Sequence, residues 1–129
     1  MQTTYPEMHV DFRRLLAAAE NNSLVFQDVI DTVRRHYECL PATFTTGDGT
    51  PGAVANPAGA NAGSCQLLAF ARRLGLGPAT TLALYGEHYR SVLADPSGTA
   101  HPNIRAFMAN GWEGVRFGSD PLRLRGPGS

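Results

Sequence analysis

The stretch that decides the fold is residues 78–110, which read PATTLALYGEHYRSVLADPSGTAHPNIRAFMAN. Apolar residues recur at helical spacing over its first half and predict a helix over about 78–93. Residues 95–98 are typical of a turn, and a further helix is predicted over about 102–110. Gly86, inside the first of these helices, indicates that a neighbouring backbone approaches closely. The side chains expected to face the core are Leu82, Tyr85, Tyr89, Val92, Leu93, Ile104, Phe107 and Met108.

The segments on either side add three more helices and a few short strands. Amphipathic helices are predicted over 5–20 and about 26–37, and a third begins at Ser64 as its N-cap and stops at Gly75. Strand character appears at 42–45, 115–117 and 122–124, and the last of these segments could pair back on 115–117. The sequence therefore predicts an α+β fold, in which about five helices pack with a small two- to three-stranded antiparallel sheet. Residues 1–125 are predicted to form a single domain, and residues 126–129 a tail.

Between the second and third helices lies a segment of small residues. Residues 47–63 contain five Gly, two Pro and five Ala, and Val54 is the largest apolar side chain among them. Such a segment buries little apolar area to offset the entropy lost on ordering. The sequence predicts a long, mobile and disordered loop over 46–62.

Composition excludes several classes of protein. The 129 residues carry a formal net charge of zero, which argues against binding to nucleic acid through a large positive field. No apolar run approaches the roughly 20 residues of a membrane span, and no Sec-type signal is visible. Cys39 and Cys65 are too few for a disulfide framework, so reduced thiols and a cytoplasmic origin are expected. We expect a monomer without a cofactor and, because no two His have metal-ligand spacing, without a metal.

Three ordered motifs suggest a family. The stretches concerned are 61–65 (NAGSC) with 68–71 (LAFA), 81–90 (TLALYGEHYR) with 92–94 (VLA), and 101–105 (HPNIR) with 107–108 (FM) and 111–117 (GWEGVRF). With these motifs the chain resembles the HopJ type III effector family of bacteria, over about 24–40 and 61–124. The segment 46–60 departs from the family pattern, since it is longer and richer in Ala, Gly and Pro. The resemblance implies an effector delivered into plant cells by type III secretion, and it implies no biochemical activity. The leading hypothesis is that such an effector acts by binding another macromolecule, a host or bacterial protein.

Cys65 suggests an alternative, enzymatic function. A thiol at the N1 position of a helix, just after Gly63 and Ser64, has its pKa lowered by the helix dipole and by free backbone N–H groups. His88 or His101 could serve as its base, and Asn103 could orient that base, as in Cys-His-Asn arrangements. This hypothesis predicts a cysteine-dependent hydrolase or acyl-transfer enzyme. For each of these residues a purely structural role in the helix start or the core is the competing interpretation.

A third hypothesis is a small-ligand binding domain with a pocket near Cys65 and His101. Polar and aromatic residues inside the three motifs would line a pocket for a ligand or a partner. These residues are Asn61, Ser64, Tyr85, Glu87, Tyr89, Arg105 and Trp112. Glu87 could instead pair with Arg90 on the same helix, and Trp112 could simply close the core.

Overall fold

The computed structural model describes residues 5–125, with side chains from Val10 onward. The predicted tail, 126–129, lies outside the described residues. Within this range the α-helices are α1 (Tyr5–Glu20), α2 (Phe26–His36), α3 (Ala62–Arg73), α4 (Pro78–Ala83), α5 (Glu87–Ala94) and α6 (Pro102–Asn110). The strands are β1 (Tyr37–Cys39), β2 (Phe44–Thr46), β3 (Val54–Asn56), β4 (Arg116–Phe117) and β5 (Leu122–Leu124), and a 3-10 turn spans Gly111–Gly114. The predicted α+β class is confirmed.

The strands form two small antiparallel sheets. In one, β2 is central and pairs with β3 and β4; in the other, β1 pairs with β5. The expectation that 122–124 would pair back on 115–117 was wrong, because β5 instead lies alongside β1, which directly follows α2. Strand β1 was missed, since Tyr37 seemed to be the last residue of a helix and was not followed by an alternating pattern.

The loop predicted over 46–62 contains a strand. Val54–Asn56 forms β3 and pairs with β2 in the register Thr46↔Val54 to Phe44↔Asn56. The expected disorder of this segment is therefore not confirmed. Backbone hydrogen bonds to β2 and the buried side chain of Asn56 supply contacts that its small side chains cannot.

Helix α3 lies at the centre of the core. Leu67, Leu68 and Phe70 are fully buried although they lie on different sides of the helix. The sequence placed its start at Ser64, but the helix begins at Ala62 and Asn61 occupies the N-cap position. Its predicted stop is confirmed, because Gly75 follows the C-cap residue with a φ of 69°.

A buried histidine helps to hold α1 against α2. The Nε2 atom of His36, whose side chain is 2% exposed, lies 2.7 Å from Oδ2 of Asp11 on α1. Arg35 donates from Nη1 to the same oxygen at 2.9 Å. Burial raises the pKa of Asp11, but the hydrogen bonds from His36 and Arg35 outweigh that effect and hold its pKa below the ordinary value.

The helix predicted over 78–93 is broken in the middle. Helix α4 ends at Ala83 and α5 begins at Glu87, with Gly86 between them at φ 59° and ψ −127°. The expected close approach is confirmed, since a Cβ at Gly86 would lie 2.7 Å from the carbonyl oxygen of Leu24. The periodicity of one continuous helix over 78–93 therefore does not hold across the break. Leu93 is 53% exposed, and its predicted burial was wrong.

The other predicted inward positions are mostly correct. Tyr85, Val92, Ile104 and Phe107 are buried, whereas Met108 on α6 is 42% exposed. Met108 follows Phe107 directly, so the rotation of about 100° per residue carries it off the buried side of the helix.

Gly86→Ala tests the broken helix. We expect a loss of about 3 kcal/mol in the free energy of unfolding, because the new Cβ would overlap backbone atoms and the φ/ψ pair is open only to glycine. Urea denaturation followed by circular dichroism measures the loss. Gly52→Ala is the matched control, since a Cβ at Gly52 would meet nothing closer than 4.0 Å. Equal stability of the two variants would contradict the claim that the backbone conformation and close contacts at Gly86 exclude a side chain.

Candidate functional site

A cleft forms where the starts of α3, α5 and α6 meet. Its volume is about 210 Å³. The residues that line it are Phe26, Asn61, Gly63, Ser64, Tyr85, His88, His101, Pro102, Asn103 and Ile104. Six of these were predicted site residues: Asn61, Ser64, Tyr85, His88, His101 and Asn103. The three motifs are thus brought to one place, although they are separated along the chain.

Two helices open into this cleft without side-chain caps. Asn61 precedes α3 at φ 50° and His101 precedes α6 at φ 56°, and neither side chain hydrogen-bonds to its own helix start. The first hydrogen bonds of the two helices are donated by the N–H groups of Cys65 and Arg105. The N–H groups before these find no acceptor among the described residues, as is general for uncapped helix starts. Those in the cleft lining belong to Gly63, Ser64, Asn103 and Ile104.

Two imidazoles face each other across the cleft. The ring centroids of His88 and His101 are 4.9 Å apart, and His88 also packs edge-on against Phe26 at 5.0 Å. Neither imidazole hydrogen-bonds to another residue in the described part of the chain. Burial, together with the positive charge of His88 and Arg105, lowers the pKa of His101 below its ordinary value.

The floor of the cleft is a buried tyrosine. Tyr85 is 2% exposed, its ring stacks on Phe26 at 5.8 Å, and its hydroxyl is hydrogen-bonded to the Ser64 hydroxyl. Burial raises the pKa of Tyr85 far above its ordinary value, and the hydrogen bond from Ser64 opposes the shift only in part. Tyr85 is therefore a neutral hydroxyl at physiological pH.

A buried amide network supports the cleft from behind. Asn103 donates from Nδ2 to Asn56 Oδ1 at 2.9 Å, and Asn56 donates back to Asn103 Oδ1 at 3.0 Å. Thr46 also donates to Asn103 Oδ1, at 2.6 Å, and Asn61 donates to Asn56 Oδ1 at 2.8 Å. Asn56 further donates to the Phe44 carbonyl at 3.1 Å. The network joins β2, β3 and the starts of α3 and α6, so it fixes where the cleft residues lie.

Glu87 has a structural role outside the cleft. Its Oε1 atom accepts a hydrogen bond of 2.6 Å from the backbone N–H of Phe26, the first residue of α2. Burial raises the pKa of Glu87, but this bond and the one from its own N–H outweigh that effect, so the pKa is lowered. The suggested ion pair with Arg90 does not form; Arg90 donates instead to the Leu24 carbonyl at 3.2 Å. Glu87 thus caps α2 from a distant part of the chain.

Cys65 lies apart from both histidines. It is the fourth residue of α3 and not the first, its side chain is 4% exposed, and its thiol lies 4.0 Å from the Ala42 carbonyl. It lines a separate cavity of about 120 Å³ together with Cys39, the other free thiol. Burial, and to a smaller extent Cys39, raise the pKa of Cys65 to about 11. A nucleophile needs the opposite shift and a base within reach, so the geometry does not support cysteine catalysis.

The remaining predicted pocket residues lie elsewhere. Tyr89 packs against the core, and Arg105 donates to the carbonyls of Ala100 and Pro96 in the turn before α6. Trp112 donates from Nε1 to the Leu76 carbonyl at 2.8 Å and its ring packs edge-on against Phe107. None of these three side chains lines the cleft.

Sequence reasoning missed several residues of the site. Phe26 lies in the first half of the chain, and nothing in its sequence context connects it with the histidines. Asn56 and Thr46 fell inside or beside the segment predicted to be disordered. The one available signal was Asn56 itself, a large polar residue in a run of Ala, Gly and Pro.

The described residues also bear on metals and membranes. Between residues 10 and 125 no group of three or more His, Cys, Asp or Glu side chains is placed to hold a metal ion. No helix within 5–125 has the length and apolar character needed to cross a membrane.

Fold and cleft together define an α+β domain with a concave, partly polar site at the starts of three helices. The profile of the HopJ type III effector protein family matches residues 10–122, and the chain belongs to this family. A crystal structure described as that of the "unknown function protein VPA0580" has 32% sequence identity and a TM-score of 0.79, with 97% of each chain covered. No curated protein matches this chain.

The reactivity of Cys65 can be measured directly. In a Cys39→Ser variant we expect slow alkylation by iodoacetamide at pH 8, because a thiol with a pKa of about 11 is only about one part in a thousand thiolate there and is buried. The rate should rise with pH without a plateau below pH 9, and His88→Gln or His101→Asn should not change it. Cys65→Ala, which leaves the less buried Cys39, is the control. A fast rate that falls when either histidine is replaced would restore the nucleophile hypothesis.

Proposed function

We propose that this HopJ family protein is a type III effector that acts by binding a protein partner through the cleft between α3, α5 and α6. It is made in the bacterial cytoplasm and delivered into a plant host cell; the family description supports the delivery of an effector by type III secretion. The observation that supports this proposal is the cleft itself, in which four backbone N–H groups and two imidazoles have no hydrogen-bond partner among the described residues. A folded surface with unused donors is suited to recognising acceptor groups on another molecule.

The size of the cleft favours a partner over a free ligand. Pockets that enclose a whole small molecule typically measure about 300–1,000 Å³. The cleft measures about 210 Å³, which is room for one side chain or one functional group. A group presented by a protein fits this volume, because the rest of the partner would contact the surface around it.

The surroundings of the cleft are rigid enough for recognition. Its donors lie on the first turns of helices, and the buried amide pair of Asn56 and Asn103 holds α6 against the sheet. Sites on regular elements keep their geometry better than sites on loops. The cysteine-dependent enzyme has less support, since its nucleophile is buried in another cavity.

Delivery can be tested with a reporter. We expect a fusion of the full chain to a calmodulin-dependent adenylate cyclase to raise cyclic AMP in plant cells that are exposed to a bacterium with a type III apparatus. The same fusion in a strain that lacks the secretion ATPase should give no rise. Equal cyclic AMP from both strains, or none from either while the fusion is stable, would contradict delivery by this route.

Partner binding at the cleft can be tested by site-specific crosslinking. A photo-crosslinking amino acid at Pro102, an exposed residue of the cleft rim, leaves both imidazoles in place. We expect a discrete crosslinked product with a plant-cell protein after irradiation in extract. His101→Asn in the same chain should reduce its yield.

The matched control carries the same amino acid at Arg123, which is exposed on β5 and does not line the cleft. The product should be absent or different from this position. Identical products from both positions, or no product from Pro102, would argue against a partner at the cleft.

A further inference from the structure

We propose that the cleft is a phosphate-binding site, in which His88, His101 and the open starts of α3 and α6 hold a phosphate monoester group. The role of this group in partner recognition rests on the proposed function above. The phosphate site itself depends only on the geometry of the cleft.

The donors are of the kind that bind oxyanions. The N–H groups of Gly63 and Ser64 belong to the first turn of α3, and those of Asn103 and Ile104 to the first turn of α6. Helix starts carry partial positive charge as well as free donors. The two imidazoles add ring N–H groups that no described residue accepts. Two helix starts and two imidazoles thus line one concave surface.

At the start of another helix of this chain, a carboxylate from the fold itself supplies the negative charge. At α2 the carboxylate of Glu87 accepts the N–H of Phe26 at 2.6 Å. No carboxylate lines the cleft at α3 and α6, as far as the described residues extend. The charge complementary to these two helix starts is therefore absent from the described chain, and an external anion can supply it.

The charged groups around the cleft favour an anion. Beside His88 on α5 lie Glu87, which is held by Phe26, and Arg90, which donates to the Leu24 carbonyl. On α6 the guanidinium of Arg105 donates to loop carbonyls and contributes positive charge near His101. The facing first turn of α3 and the buried Tyr85 add no charge, because Tyr85 remains a neutral hydroxyl.

Phosphate suits this cleft better than carboxylate. The four N–H groups and two imidazoles provide up to six donors, which matches three oxygens with two lone pairs each and exceeds the capacity of two carboxylate oxygens. A charge near −2 also attracts the ring N–H groups of the two imidazoles, whose centroids lie 4.9 Å apart, more strongly than the single charge of a carboxylate.

The first experiment titrates inorganic phosphate into the ¹⁵N-labelled protein and follows amide and imidazole resonances. We expect saturable shifts at the amides of Gly63, Ser64, Asn103 and Ile104. His88→Gln and His101→Asn should each weaken binding about tenfold or more, as for loss of a hydrogen bond between charged groups. Asn is chosen at position 101 because it tolerates the positive φ of that residue.

Arg72→Ala is the matched control for unspecific attraction, since it removes an exposed cation outside the cleft. It should leave phosphate affinity unchanged. If phosphate gives no saturable shifts at the cleft amides, or if Arg72→Ala weakens binding as much as the folded histidine variants do, the phosphate site is ruled out.

The pH dependence gives a second readout. Burial and neighbouring positive charge lower the pKa of His101 in the free protein, and a bound dianion favours the imidazolium, so phosphate should shift its pKa upward. For this series the probe is O-phosphoserine, a phosphate monoester, and its affinity should accordingly increase from pH 8.0 to pH 6.5, before the monoester loses its second charge near pH 6. An affinity that falls over this range would contradict imidazolium–phosphate pairing.

The source of the phosphate is decided by the crosslinking product at Pro102. If the group is a phosphorylated side chain of the partner, phosphatase treatment of the extract removes the product, and inorganic phosphate competes with it. If the group belongs to a small metabolite, phosphate still binds the pure protein and the product survives phosphatase. If phosphate binds but no crosslinked product forms, the phosphate site is supported and the protein partner is refuted. If a product forms but phosphate does not bind, the protein partner is supported and the phosphate site is refuted.

Discussion

The reciprocal hydrogen bonds between Asn56 and Asn103 are the interaction on which the rest of the structure depends. Both side chains are at least 95% buried, and each satisfies the other, so neither amide remains unpaired inside the fold. One amide comes from a strand made of small residues and the other from the first turn of α6. Without this pair β3 would have little to order it, and the start of α6 would lose its position beside α3.

Among the described residues, the donors of the cleft lack the carboxylate partners that donors have at two other places in the fold. At these two places a carboxylate of the fold meets such donors: Glu87 caps α2, and Asp11 meets Nε2 of the buried His36. At α3 and α6 the helix starts remain open, and Asn61 and His101 hold left-handed conformations that are unfavourable for residues with a side chain. Uncapped helix starts and strained backbone conformations that lie together in one cleft are typical of a binding site, where function takes precedence over local stability.

Much of the fold was predictable because it depends on local patterns. Helix α6 was predicted with its observed bounds, since Pro102 and Gly111 mark both ends. The break at Gly86 was not, because the backbone that approaches it belongs to Leu24, remote in sequence. The histidines and asparagines of the cleft were singled out from their motifs. The burial of Cys65, by contrast, depends on Ala42 and Cys39 packing over it, which no local pattern reveals.

The hydrogen bond from the start of α2 to Glu87, which directly follows the helix break at Gly86, also constrains the order of folding. Helix α2 has eleven residues, too few to be stable alone in water, and the cap on its first N–H comes from a residue 61 positions away. That cap forms only after the chain has closed a long loop, at a cost in entropy that precedes any gain from the contact. The start of α2 therefore becomes stable late in folding, together with α5, and the two halves of the chain do not fold as independent units. A fragment that ends before residue 86 would lack both the helix break at Gly86 and the Glu87 carboxylate that caps α2.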